Sequence, residues 1–231
     1  MRLEPSVAVK EKRLAALLLE RGLHPDDPGL AGIVEDAQAL GSLELAGFRF
    51  GWDEVRASRA SGTGPLEVVA FRRARAAVAA HAPFGVAAMR EWHAALAGPV
   101  GFRRGERGRD GGPAPAPVRF VESRLAALAE WLEVAGSRDL RPEQAAAVAL
   151  ARIVEVLPFD DANGRVSRLA ASHLMVRGGM RAPVLVAGDG PRLKAALESA
   201  FQLRTEPLVA LLVEASGRAV DVMIQSLGAS G

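Results

Sequence analysis

The chain has 231 residues, 49% of them apolar, with 29 Lys and Arg against 27 Asp and Glu for a formal charge of +2. That length can bury one substantial core, and a nearly balanced charge with no long basic run excludes a nucleic-acid-binding arm. The absence of cysteine excludes a disulfide framework, a thiolate zinc site and a thiol nucleophile.

The first residues, Met1-Arg2-Leu3-Glu4-Pro5, carry charge at once and form no apolar h-region, so no signal peptide is expected. No apolar run reaches membrane-spanning length: Leu125 to Ala135 is interrupted by Glu130 and Glu133, and Leu208 to Val213 is closed by Glu214. A cytoplasmic, bacterial setting is the expectation. Ala and Leu recur at helical spacing and β-branched alternation is scarce, so the fold class is all-α. Helices are predicted over Val7–Arg21, Leu30–Leu45, Trp52–Ser61, Pro65–Ala82, Gly85–Ala97, Arg119–Ala135, Pro142–Leu157, Gly164–Gly178, Arg192–Leu203 and Glu206–Leu227. Pro65 and Pro142 suit a first turn, and Gly178-Gly179 suits a C-terminal stop. Core packing is expected for the apolar stretch Leu208–Val213, with a homodimer interface as the other use.

Gly98 to Val118 differs in composition. It is rich in Gly, Pro and Arg, cannot be a helix and is long for a plain connection. Its basic stretch Arg103–Arg109 is expected to be a solvated loop, with a phosphate or nucleic-acid patch as the alternative.

The run Leu157-Pro158-Phe159-Asp160-Asp161-Ala162-Asn163-Gly164-Arg165-Val166-Ser167-Arg168 concentrates the chemistry. Pro158 cannot continue a helix from Val156-Leu157, so the chain turns there. Ala162-Asn163-Gly164 supplies small residues and a permissive glycine, which lets successive backbone N–H groups converge. A helix starting near Gly164 aims free N–H groups and its positive dipole end at that point, a ready anion site. Arg165 and Arg168 share one helix face, and guanidinium suits phosphate oxygens. Asp161 is placed for a magnesium ion bridging phosphates. On these residues alone, a capped helix-loop-helix with solvent-exposed arginines stands as an equal alternative.

The run resembles the signature of the Fic (Fido) family, His-Pro-Phe-x-(Asp/Glu)-(Gly/Ala)-Asn-Gly-Arg-x-x-Arg, at every specified position but the first, which is Leu157. The resemblance implies a Fic-type helical bundle over 1–231, with a helical extension (1–37), an inhibitory-helix-like region (38–62), a short β-hairpin flap (98–118) and the signature loop (157–168). It implies that Ala162, Asn163 and Gly164 cradle the α-phosphate of a nucleotide such as ATP, that Arg165 and Arg168 bind the β- and γ-phosphates, and that Asp161 holds Mg. Gly101-Phe102-Arg103 is similar to the start of the flap that clamps a target peptide. Nothing after Gly188 resembles the winged helix that some members append.

Active members transfer AMP to a hydroxyl of a target protein, and the first-position histidine takes its proton. Leucine cannot, and losing a positioned base typically costs ~10²–10⁴ in rate. Among His24, His81, His93 and His173, only His173 lies on the helix leaving the motif, about two turns beyond Arg165, and packing is expected for it. Asp160 is nearer and expected to be solvated. Ser42-Leu43-Glu44-Leu45-Ala46-Gly47 resembles the family's inhibitory motif, (Ser/Thr)-x-x-x-Glu-(Gly/Asn), with Ala46 where the glutamate stands and Glu44 as an offset candidate. Lacking that glutamate, Arg168 is expected to stay free for a ligand phosphate. The expected function is a degenerate family member that binds a nucleotide or other phosphorylated ligand without efficient AMP transfer and acts through an unidentified protein target or regulatory partner. The alternatives are an active transferase using another base or none, and a purely structural or interaction module.

Overall fold

The computed structural model describes residues 5–98, 101–108, 113–135 and 139–229. Ten α-helices are present among them: α1 Pro5–Arg21, α2 Pro28–Glu44, α3 Trp52–Ser61, α4 Leu66–Ala77, α5 Val86–Ala97, α6 Val121–Glu130, α7 Pro142–Val156, α8 Asn163–Arg177, α9 Gly190–Phe201 and α10 Glu206–Ala229. None of the helices among the described residues is long and apolar enough to cross a membrane. The boundary expected between residues 37 and 38 falls inside α2.

The order of burial follows from the sequence. α7 is alanine-rich on every face, and a helix apolar all round belongs in the interior. Ala146, Ala147, Ala149 and Ile153 are fully buried, and α8 packs alongside through Val166, Ala170, Ala171 and Met175. Small side chains on both helices let the backbones approach, which fixes the ends of α7 and α8 on either side of the signature loop. Around this pair lie α5, α6, α9 and α10, and Leu208, Leu211 and Leu212 of α10 are core residues. The apolar stretch 208–213 is therefore used within the chain. A second cluster joins α1 (Leu14, Leu18), α2 (Leu30, Val34) and α10 (Val220, Met223, Leu227).

Local signals set the ends of the helices. Asp27 caps α2 by accepting from the Leu30 N–H at 3.0 Å, with Pro28 in the first turn. Gly41 permits close approach of α2 to the return segment, because a Cβ there would stand 1.7 Å from the Leu185 carbonyl oxygen. α2, α3 and α4 are tied by a buried carboxylate: Asp36 is 0% exposed and takes Arg59 Nε at 3.0 Å and Arg72 on its other oxygen. Gly32 leaves the room that Arg59 occupies.

Three expectations are corrected. α4 stops at Ala77, not Ala82: the chain turns so that the Ala82 carbonyl accepts from His173 Nε2 at 2.8 Å, a tertiary contact that overrides helix propensity. The predicted helix to Ala135 ends in a π-helical turn over Trp131–Ala135, which swings Glu133 to accept from the Phe84 N–H (3.0 Å) and Arg177 (2.5 Å). The β-hairpin flap is not seen, since no strand is present among the described residues of 98–118. Pro113, Pro115 and Pro117 remove the N–H groups from one edge of the return limb, so it can pair on its other edge only.

Candidate functional site

The signature loop is built on two strained residues and a set of contacts that hold them. α7 ends with Leu157 in the left-handed region (φ 52°, ψ 62°), its N–H donating to Ile153 at 3.0 Å. Ala162, just before α8, is also left-handed (φ 61°). Each such residue costs about 1–3 kcal/mol. Against this, Phe159 is fully buried, its ring stacked on His93 at 3.9 Å and tilted against Phe102 at 5.5 Å. A buried phenylalanine of this kind is worth about 3–5 kcal/mol relative to alanine. Asn163 adds a two-way clamp, accepting from the Phe159 N–H (2.9 Å) and donating to the Phe159 carbonyl (2.8 Å). Anchor and clamp together match the strain, so the loop is held in one shape.

That shape gathers backbone donors at the start of α8, where the anion cradle is expected. The first intrahelical bond of α8 runs from Val166 N–H to the Ala162 carbonyl at 2.9 Å. The N–H groups of Asn163, Gly164 and Arg165 therefore have no acceptor within the helix, and they sit at its positive end.

The structure places the charged residues less simply than expected. Arg165 is only 5% exposed, donates to Asp161 Oδ2 at 3.1 Å and lies over the Phe48 ring at 5.3 Å. Asp161 keeps its side chain 78% exposed at the edge of the cradle. Asp160 is held by Arg107 at 2.8 Å. Arg168 is not free: its Nε donates to Ser42 Oγ (2.9 Å) and its Nη2 to the Ser42 carbonyl (2.7 Å). Burial, and then the neighbouring Arg165, lower its pKa to about 10, which leaves it protonated at neutral pH. Ala46 and Gly47 lie in the turn after α2, and Glu44 forms no ion pair among the described residues. Ser42 and Phe48 are the residues that sequence reasoning missed. The only signal was that Ser42 opens the inhibitory-like motif.

Arg103 was expected on a solvated, target-facing loop, but it is 1% exposed. Its N–H donates to the Pro158 carbonyl (2.9 Å), Nε to Leu157 (2.7 Å), Nη1 to Gly105 (2.8 Å) and Nη2 to Ala116. Burial of a guanidinium is tolerable only when its donors are used in this way. Arg103 thus couples both limbs of the 98–118 segment to the signature loop. Phe102 packs on Phe159, with the Arg90 guanidinium over its ring at 4.5 Å, and Gly101 is exposed. Arg103→Ala is expected to leave helix content intact while proteolysis within 101–118 accelerates about tenfold or more, because several charge-assisted bonds worth about 1.5–3 kcal/mol each are lost. Unchanged cleavage would show that the segment is held elsewhere.

Each histidine has its place in the fold. His24 and His81 are exposed, and His93 is stacked in the core. His173 is buried against Trp92 and bound to Ala82, with its pKa lowered chiefly by that burial.

Comparison with known proteins agrees with this geometry. The Fic/DOC family model matches residues 83–175. The protein adenylyltransferase fic-1 of Caenorhabditis briggsae is 34% identical over 71 residues, covering 31% of this chain and 14% of that protein. The protein adenylyltransferase Fic of Culex quinquefasciatus is 27% identical over 112 residues, covering 48% and 22%. The chain thus spans less than a quarter of the length of these relatives. Among solved structures, a Fic-domain-containing signaling protein from Bacteroides thetaiotaomicron superposes with a TM-score of 0.79 at 16% identity, covering 97% of this chain and 98% of that one. Fic-1 from C. elegans superposes with 0.75 at 20%, covering 97% and 74%. A Fic domain complexed with adenylylated Cdc42 gives 0.55 at 14%, covering 94% and 71%. The chain therefore carries a segment, residues 83–175, that matches the Fic/DOC family model, within the all-helical fold of the solved Fic structures.

Proposed function

We propose that this Fic domain binds a nucleotide, or a related phosphorylated ligand, on the Asp161–Arg168 loop without efficient AMP transfer, and acts through a protein partner. The observation that carries this reading is a hydrocarbon side chain, Leu157, on a loop whose phosphate-facing backbone is held in place by Phe159 and Asn163. Hydroxyl side chains are poor nucleophiles near neutral pH without a base. Asp160 is held by Arg107, and His173 is committed to Ala82, so neither favours an alternative base.

Magnesium fits the residues present only in partnership with phosphates. No group of three metal-ligating side chains exists among the described residues, but the exposed Asp161 carboxylate suits an ion held by one carboxylate plus phosphate oxygens. Such an ion would neutralise phosphate charge there. Adenylyltransferase relatives, and the neighbour crystallised with adenylylated Cdc42, support ATP-type ligands and a protein partner as the classes to test.

Calorimetry with AMP, ADP and ATP, each with and without magnesium, is expected to show binding that Asn163→Ala abolishes, while labelled ATP leaves no mark on lysate proteins. Covalent labelling by the wild-type protein that disappears in Asp161→Ala would overturn the non-transferring reading. Failure of all three nucleotides to bind would favour an interaction module.

A further inference from the structure

A cleft of about 350 Å³ opens between α4, α5 and the second half of α8, a volume at the lower end of the small-molecule range. It exists because α4 stops early. Val78 leaves the helix in an extended conformation, and the chain crosses so that the Ala82 carbonyl reaches α8, where it accepts from His173 Nε2 at 2.8 Å and from Arg177 at 3.4 Å. The side chains that the crossing chain sets along the opening are small, Ala79 and Ala80 among them. His173 lies on α8 roughly 15 Å from Asn163, so the cleft is separate from the signature loop.

The inner end of the cleft carries one specific chemical demand. A carbonyl oxygen only accepts, so the proton of the His173 ring stands on Nε2. Burial, the largest influence on the ring, lowers its pKa, with Arg177 and Glu133 pulling in opposite directions beside it, and the ring is neutral at pH 7. Nδ1 then holds a bare lone pair. It has no partner among the described residues, yet it is not sealed inside the protein. His173 is 7% exposed, and that small surface faces the cleft it lines. Trp92, edge-on to His173 at 5.5 Å between ring centres, and Leu169 supply apolar surface beside it.

The mouth sets the charge that the cleft can take. Glu35 and Arg75, with side chains 39% and 28% exposed, pair across it at 3.0 Å, and Arg75 also donates to Gln38. Arg72, on the same wall, is spent on Asp36 and the Val55 carbonyl. An anion would have to draw Arg75 away from Glu35, and its oxygens would meet the Nδ1 lone pair. A cation would sit beside two arginines. A neutral molecule disturbs neither arrangement. A rigid ring also loses little conformational freedom on binding and finds aromatic partners in Trp92 and His173.

We infer that this cleft is a binding site for a small neutral aromatic molecule bearing an N–H group, with its ring against Trp92 and Leu169 and its N–H donated to His173 Nδ1. Ligand-observed NMR titration with indole and with benzofuran, which has the same shape but an oxygen in place of N–H, isolates that bond. Indole is expected to bind the wild-type protein, and benzofuran about fivefold or more weakly, because it leaves the buried acceptor unpaired. Indole-3-acetate and tryptamine, which add a charge of either sign, are expected to bind more weakly than indole. His173→Phe is expected to remove the discrimination between indole and benzofuran. Ala79→Trp, placed at an exposed position on the rim, is expected to fill the cleft and abolish binding of both, with thermal melts establishing that each variant is folded. The wild-type comparison needs no variant. Absence of indole binding, equal binding of indole and benzofuran, tighter binding of either charged analogue, discrimination that survives in folded His173→Phe, or indole binding that survives in folded Ala79→Trp overturns the inference. None of these outcomes bears on the signature loop.

Discussion

Asp36→Ala is expected to lower the stability of the folded chain by about 3–5 kcal/mol, the cost of leaving buried charges without their partner. Asp36 is fully buried, and the side chains of Arg59 and Arg72 that converge on it are 32% and 18% exposed. Both guanidinium groups would lose a carboxylate that no nearby residue replaces, although Arg72 keeps its bond to the Val55 carbonyl at 2.8 Å. For a chain of this size each kcal/mol moves the midpoint by about 2–4 °C, so the melting temperature should fall by roughly 6–20 °C. Glu122→Ala is the control. It breaks the exposed Arg90–Glu122 pair, with side chains 48% and 63% exposed, and should cost less than about 1 kcal/mol. Equal effects of the two substitutions would show that Asp36 is more hydrated than its packing implies. The consequence reaches the cradle, because α2 carries both Asp36 and, at its far end, Ser42. Loosening α2 against α3 and α4 should therefore also free Arg168.

The legible and illegible parts of this chain divide along physical lines. Helix positions were legible because periodicity and punctuation are local: Pro65 precedes α4, Pro142 starts α7, and Pro158 forces the turn after Val156. The shape of the loop was legible for the same reason, since Ala162-Asn163-Gly164 lies in one short run. Contacts between distant segments left no local signal. Asp36 meets Arg59 and Arg72 across separations of 23 and 36 residues, and Arg168 meets Ser42 across 126. Arg103 read as a loop cation because composition reports the average surroundings of a segment, whereas its burial depends on three carbonyls supplied by the fold. The flap misled in a different way. Family resemblance supplied a hairpin, while the prolines 113, 115 and 117 leave the return limb only one edge that can pair, and no strand forms among the described residues.

Leu157→His is the substitution expected to change activity most. The backbone at 157 is left-handed, a conformation that histidine enters more readily than a branched aliphatic residue, so the exchange should relieve strain. Leu157 is half-buried, and its carbonyl is pinned by Arg103 Nε, which fixes where a ring at this position begins. A base placed there should raise transfer from labelled ATP to the protein itself, or to a target in lysate, by ~10²–10⁴ over the wild-type background. The single variant should remain limited by ATP occupancy, because Arg168 is still held by Ser42. Adding Ser42→Ala, which removes the hydroxyl that accepts from Arg168 Nε, should raise labelling further at subsaturating ATP. Adding Asn163→Ala should abolish it by releasing the clamp on Phe159. A Leu157→His protein that binds ATP, remains folded and labels nothing would show that proton transfer is not the only function lost, and would move attention to the 98–118 segment and the surface it presents to a target.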